Sequence, residues 1–166
     1  PKLSPTGDVI VYAAMGNGDT TSGGGLYRSL DTGKTWQRMR AGDATDVLID
    51  YNSVSAQSGN LQILYAGFAG QGVFSSPNRG QVWNAMTGGI GNPLIQDSNT
   101  ITPVPVTAPS ETPNGAKGRI QLARPSLIDG DVARNLGYQG FLYASVANTD
   151  GSFDGLYVTK DFGQNW

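Results

Sequence analysis

With no His and no Cys among its 166 residues, the chain must draw any acid–base, nucleophilic or metal chemistry from carboxylates and hydroxyls. Ser-His-Asp triads, imidazole bases, thiol nucleophiles, zinc fingers and disulfides are excluded at once. Two stretches concentrate the acids. In GDATDVLIDY, Asp43, Asp46 and Asp50 could supply the carboxylate pair that most glycoside hydrolases use. The simpler reading has Asp43 and Asp46 bracketing a turn and Asp50 ending a strand. In NTDGSFDG, Asp150, Ser152 and Asp154 alternate ahead of Gly155, like the start of an EF-hand loop, with Asp161 at the twelfth position from Asp150. A strand over residues 156–159 would carry Asp161 about 13 Å away at ~3.3 Å per residue, which spoils that match. What remains is a smaller calcium site on Asn148, Asp150 and Asp154, set against a plain polar hairpin. Asn17 and Asp19, in GNGDTTSGGG, offer the same oxygen chemistry in an earlier loop. Gly16-Asn17-Gly18 lacks the third glycine of a dinucleotide loop and leads into a strand, so that reading fails.

Composition narrows the field further. Charged residues make up 14%, against about a quarter in average soluble domains, so the surface is rich in neutral polar groups. Net charge is −2 with Lys and Arg scattered, which offers no basic stripe to nucleic acid. No apolar run approaches the ~20 residues of a membrane helix, and no N-x-Ser/Thr acceptor for glycosylation is present. Hydrophobic residues at 38% suffice for a core, while 24 Gly and 9 Pro demand many turns. A cysteine-free chain suits cytosol and exterior equally. A start at Pro1 with no signal peptide is what a processed or truncated product would have.

The elements that would position these residues emerge from an internal repeat. VIVYAAM with GGLYRSLDTGKTW, ILYAGF with QGVFSSPNRGQVW, and FLYASV with DGLYVTKDFGQNW align in register. Tyr12, Tyr65 and Tyr143 correspond, as do Ala13, Ala66 and Ala144, and Trp36, Trp83 and Trp166. The interval from Trp83 to Trp166 holds one further unit plus an insertion. Short β-branched and aromatic runs bounded by glycine predict strands over 9–15, 24–29, 35–40, 63–68, 71–76, 82–87, 141–146 and 154–159. Residues 45–51 and 119–125 add a strand ahead of the second and third units. Four short strands per forty-odd residues is the pattern of a propeller blade.

Ser29-Leu-Asp31-Thr-Gly33-Lys-Thr35-Trp36 resembles the Asp-box, S-x-D-x-G-x-T-W, of BNR-repeat β-propellers. That superfamily includes sialidases, sortilin-type receptors, xyloglucan-hydrolysing enzymes and photosystem assembly factors. Thr159-Lys-Asp161-Phe-Gly163-Gln-Asn165-Trp166 keeps Asp, Gly and Trp, whereas Ser76-Pro-Asn78-Arg-Gly80-Gln-Val82-Trp83 has Asn for Asp and Val for Thr. The resemblance covers nearly the whole chain except the insertion. It implies an all-β fold, an incomplete arc of a propeller with four-stranded antiparallel blades. The expected units are a partial blade over 1–42, a second blade over 43–89, a Pro-rich insertion over 90–118 and a third blade over 119–166. Fewer than three complete blades would leave open edges, to be covered by the remaining blades of a longer protein or by a partner chain.

In this reading the box residues are structural. Asp and Ser oxygens fold a tight turn, Gly takes a left-handed backbone, and the Trp buries a large apolar face between blades. The ligand side implied by the resemblance is the opposite one, carrying hairpins 16–25, 69–71 and 147–154 together with the insertion. The nearest string to the sialidase R-I-P motif, Ala123-Arg124-Pro125-Ser126, does not match it. The expected function is therefore a non-enzymatic scaffold that binds a protein or glycan partner in an extracytoplasmic setting, with no cofactor beyond a structural calcium ion. The rival readings are a segment of a polysaccharide hydrolase and an assembly factor for a membrane complex.

Overall fold

A computed structural model describes residues 7–17, 23–53, 63–86 and 117–166. Within them the chain is mostly β. The first sheet holds β1 (Val11–Met15), β2 (Gly25–Ser29) and β3 (Gln37–Ala41) in that order. The second holds β4 (Ala44–Ile49), β5 (Leu64–Phe68), β6 (Gly72–Ser76) and the two-residue β7 (Asn84–Ala85). The third holds β8 (Lys117–Ala123), β9 (Leu142–Asn148) and β10 (Phe153–Thr159). All pairings are antiparallel, and no sheet closes on itself. The Pro-rich insertion lies outside the described residues except for Lys117 and Gly118, which open β8. One element was not expected from the sequence. A short helix, α1 (Val132–Gly137), sits between β8 and β9, its first turn capped by the Asp131 carboxylate accepting from the Arg134 amide at 2.9 Å.

Three turns repeat atom for atom. The Ser29, Ser76 and Thr159 hydroxyls accept from the amides of Gly33, Gly80 and Gly163 at 2.8, 2.7 and 2.9 Å. Asp31, Asn78 and Asp161 accept from the amides of Thr35, Val82 and Asn165 at 2.8, 2.8 and 2.9 Å. Each turn needs two consecutive left-handed residues rather than one. Thr32, Arg79 and Phe162 have φ near 60°, and the glycines that follow have φ of 82–89°. Sequence reasoning assigned that backbone to the glycines alone.

The sheets stack through alternating faces, as strand geometry requires. Leu26 of the first sheet packs into a cluster with Ala44, Ala66 and Phe68 of the second. Tyr65 and Val73, on the other face of the second sheet, pack with Ile120, Leu122, Leu142 and Ala144 of the third. A methionine lies under the next sheet's turn at both junctions. The Met39 methyl lies 3.7 Å from where a side chain at Gly80 would begin, and Met86 is in close contact with Gly163. The Arg40 guanidinium stacks 4.1 Å from the Phe68 ring centre and 3.8 Å from that of Phe74, fastening the first sheet to the second.

The box tryptophans do not share one environment. Trp166 donates its indole N–H to the Met86 carbonyl at 3.1 Å, and Trp83 packs against the cluster around Leu26. Trp36 remains 44% exposed, contrary to the expectation that each box Trp is buried. Trp83 and Trp166 reach back onto the preceding sheet, and the first sheet has none on that side among the described residues.

Candidate functional site

The carboxylates of the second sheet hold the sheets together. Asp46 lies inside β4 at a break in register rather than beside a turn, and its Oδ2 accepts from the Leu122 amide of β8 at 2.7 Å. The neighbouring Thr45 hydroxyl donates to the Ile120 carbonyl at 2.8 Å and accepts from the Ile120 amide at 3.1 Å. β8 is the inner edge of its sheet, so these side chains supply bonds that a further strand would otherwise make. Asp43 Oδ1 accepts from the Asn17 amide at 2.8 Å, joining the first sheet to the second. Asp50 follows β4, is buried, accepts from the Asn52 amide at 2.8 Å and pairs with Arg124. Arg124 also donates to the Phe141 carbonyl at 3.0 Å and lies over the Tyr65 ring. This pair borders a cavity of about 220 Å³ lined also by Leu48, Tyr51, Leu127 and Tyr138.

At the other end of β4 a larger cavity of about 800 Å³ opens. All three sheets contribute to it. Gly16 comes from the end of β1, Asp43 and Thr45 from the start of β4, and Gly70 from the β5–β6 turn. Lys117, Arg119, Asn148 and Thr149 come from the third sheet. Much of the lining is glycine and alanine, so the wall presents backbone as well as side chains.

The loop residues singled out from sequence distribute as follows. Asn148 and Thr149 line the large cavity, and Asn17 borders it through its bond to Asp43. Asp19 lies outside the described residues. Asp150 Oδ1 accepts from both the amide and the hydroxyl of Ser152, at 2.9 and 2.7 Å, and these bonds hold its carboxyl below the usual range. Asp154 falls within β10, where its two oxygens accept from the Lys117 ammonium and the Tyr157 hydroxyl, both at 2.8 Å. Asn148 bonds to Ser152 through both backbone and side chain. The three proposed calcium ligands are thus each engaged with protein partners, and among the described residues no group of three or more acidic side chains is placed to hold a metal ion.

Among the described residues, Asp31 has a strongly lowered carboxyl. The Thr35 hydroxyl at 2.6 Å, the Thr35 amide and the Ser29 hydroxyl hold it down to about 2. Tyr65 moves the other way, pushed up to about 12 by burial. Neither group faces the large cavity. Sequence reasoning missed Lys117 and Arg119, because Lys117 and Asp154 are far apart in the chain and no spacing rule connects them. No helix among the described residues is long and apolar enough to cross a membrane. No protein-family model matches the chain, and no curated protein matches it.

Proposed function

We propose that the chain is an arc of an Asp-box β-propeller that binds a neutral glycan in the cavity at the hairpin end of its sheets, without hydrolysing it. Support for the propeller comes from the repeated junction, where a methionine of one sheet underlies the turn glycine of the next and turn geometry recurs three times. The observation that carries the binding reading is the cavity itself. It is open, about 800 Å³, and assembled from loops of three sheets held by a rigid scaffold. Its polar groups suit hydroxyl-rich ligands: the Asn148 and Thr149 side chains, backbone amides and carbonyls, and the exposed Arg119.

Binding is favoured over hydrolysis by the placement of the acids. Most glycosidases flank the scissile bond with two carboxylates. Among the described residues one carboxylate, Asp43, lines the cavity; Asp46 bonds to the Leu122 amide and Asp50 is buried against Arg124. A scaffold of this type, with a surface of neutral polar residues, fits an extracytoplasmic setting.

The test is a titration of isotopically labelled protein with cello-, xylo- and xyloglucan-derived oligosaccharides at millimolar concentration. Amide shifts should cluster at residues 43–45, 69–70, 117–119 and 147–151, with no release of reducing sugar. Shifts scattered over the surface, or none with any probe, overturn the binding reading. Release of reducing sugar overturns its non-catalytic part.

A further inference from the structure

Among the described residues two cations line the large cavity, Lys117 and Arg119, and only Lys117 has a carboxylate partner. That pair is built across β9. Lys117 opens β8 opposite Asn148, and Asp154 lies in β10 on the other side of the same strand. At about 4.8 Å per strand, their backbones stand roughly 10 Å apart. Two irregularities at one level of β9 re-aim the side chains that bridge this gap. In β8, Lys117 pairs with Asn148 and Ile120 with Val146, so Gly118 and Arg119 together stand opposite Ala147. In β10, Phe153 pairs with Ala147 and Gly155 with Val146, which leaves Asp154 as an extra residue without a partner. Bulges of this kind bend a strand and redirect its side chains.

Glycines make room for the arrangement. A side chain at Gly118 would run into the Asn148 carbonyl, and one at Gly155 would begin 2.8 Å from the Tyr157 ring. The Lys117 ammonium donates to Asp154 Oδ1 at 2.8 Å, and the Tyr157 hydroxyl donates to Oδ2 at 2.8 Å. Both charged side chains are 15% exposed, and Tyr157 packs against the core between the second and third sheets.

The consequence for a ligand is electrostatic. An ammonium has three donors and Asp154 takes one, so Lys117 can still donate to a sugar hydroxyl at the cavity wall. It cannot give its charge to a ligand carboxylate without leaving Asp154 mostly buried and unpaired, which is costly. The other charges on the wall, Asp43 and Arg119, offset each other, so the lining is close to neutral as a whole.

We propose that Asp154 is a positioning residue that sets the cavity's preference for neutral over carboxylated sugars by holding the Lys117 ammonium in an ion pair. Without the charge of Asp154 the same wall presents a free lysine, suited to the carboxylate of a uronic acid. The inference rests on the glycan reading above and adds the residue that fixes the charge of the ligand.

The test titrates a cello-oligosaccharide and its C6-carboxylated, glucuronic acid counterpart into labelled wild type and Asp154→Asn at low salt. Amide shifts at residues 43–45, 117–119 and 147–151 report the site. Wild type should bind the neutral sugar at least as tightly as the acidic one. Asp154→Asn keeps an oxygen for the Tyr157 hydroxyl and should move the acidic-to-neutral affinity ratio at least fivefold towards the acid, an advantage that added salt erodes. Lys117→Gln in the same background should abolish the gain. Asp129→Asn, beyond the far end of β8, makes the same change in net charge and should leave the ratio as in wild type. Asp154→Ser also removes the charge and should act in the same direction, so a folding defect in one variant does not decide the outcome. No binding of the neutral sugar by wild type overturns the glycan reading and this proposal together. Neutral binding with a wild-type preference for the acid, a ratio unchanged in both Asp154 variants, a gain that survives Lys117→Gln, or an equal gain in Asp129→Asn overturns this proposal alone.

Discussion

Replacing the three turn glycines by alanine separates backbone strain from packing, because their backbones match and their surroundings do not. All three have φ of 82–89°, where a Cβ costs on the order of 1–2 kcal/mol. At Gly33 the new methyl would meet nothing closer than the Trp36 ring at 3.7 Å, and at Gly80 nothing closer than 3.6 Å. At Gly163 it would lie 2.5 Å from the Met86 methyl and 2.8 Å from the Met86 Cβ. The terminal methyl can swing aside, but the Cβ moves only with the backbone of the second sheet. Overpacking of that kind adds about 1–3 kcal/mol. Gly33→Ala and Gly80→Ala should therefore each cost about 1–2 kcal/mol and Gly163→Ala about 2–5 kcal/mol, read from urea denaturation with unchanged m-values. Met86→Ala removes the Met86 methyl but keeps its Cβ, so in the double variant the coupling should recover only part of the excess, roughly 1 kcal/mol. Equal costs at the three sites would refute the junction between Met86 and the third turn, and with it the stacking that underlies the repeat.

Trp36→Ala should cost about 1–2 kcal/mol, less than the 3–5 typical of a buried Trp, while Trp83→Ala should cost more than Trp36→Ala; equal denaturation midpoints would contradict the asymmetry. Arg124→Met should cost about 3–5 kcal/mol by stranding the buried Asp50 charge, and adding Asp50→Leu should recover most of the loss, as thermal melts of both variants would show. Thr45→Val removes the hydroxyl that serves both the Ile120 amide and carbonyl, for an expected loss of about 1–3 kcal/mol and faster hydrogen exchange at Ile120. Asp31 has a folded-state pKa depressed to about 2, so its contribution is complete above the ordinary carboxylate range and is lost as pH falls towards 2; Asp31→Asn should flatten that acid limb of a stability–pH curve. Tyr65 has a raised folded-state pKa of about 12, so its contribution is complete below 10 and fades as pH climbs to 12, a limb that Tyr65→Phe should remove.

Local chemistry made much of the fold legible. Gly-bounded runs such as LYAGF and GLYRS announced strands, and they form β5 and β2 within a residue or two of the expected limits. The Ser-x-Asp-x-Gly spacing announced a turn because the bonds that its Ser and Asp oxygens accept from backbone amides lie within four residues. Events between sheets were not legible. Whether Trp36 is buried depends on a neighbouring sheet, and no feature of the motif distinguishes it from Trp83 or Trp166. The helix α1 has no apolar periodicity to announce it, and none of its residues is buried. The candidate site was half visible: Asn148 and the hairpins could be named, whereas Lys117 and Arg119 enter the cavity only because β8 starts there.

The placement of polar side chains at β4 explains why the acids do not converge on a cavity. Its start must serve both neighbours: Asp43 takes an amide of the first sheet, while Thr45 and Asp46 take the bare inner edge of the third. An unpaired backbone amide in a half-buried junction costs about 1–3 kcal/mol, so a side chain that satisfies one is held in place by that cost. At the end of β4, Asp50 is held by its amide bond and by Arg124. A carboxylate committed in this way is fixed in orientation by its amide bond, which also fixes where its remaining lone pairs point. Beside Asp43, bonded to the Asn17 amide, and Lys117, paired with Asp154, the large cavity is lined by main-chain groups, amide and hydroxyl side chains, and Arg119. Such groups make hydrogen bonds to hydroxyl-rich ligands, which is what the proposed glycan-binding reading requires.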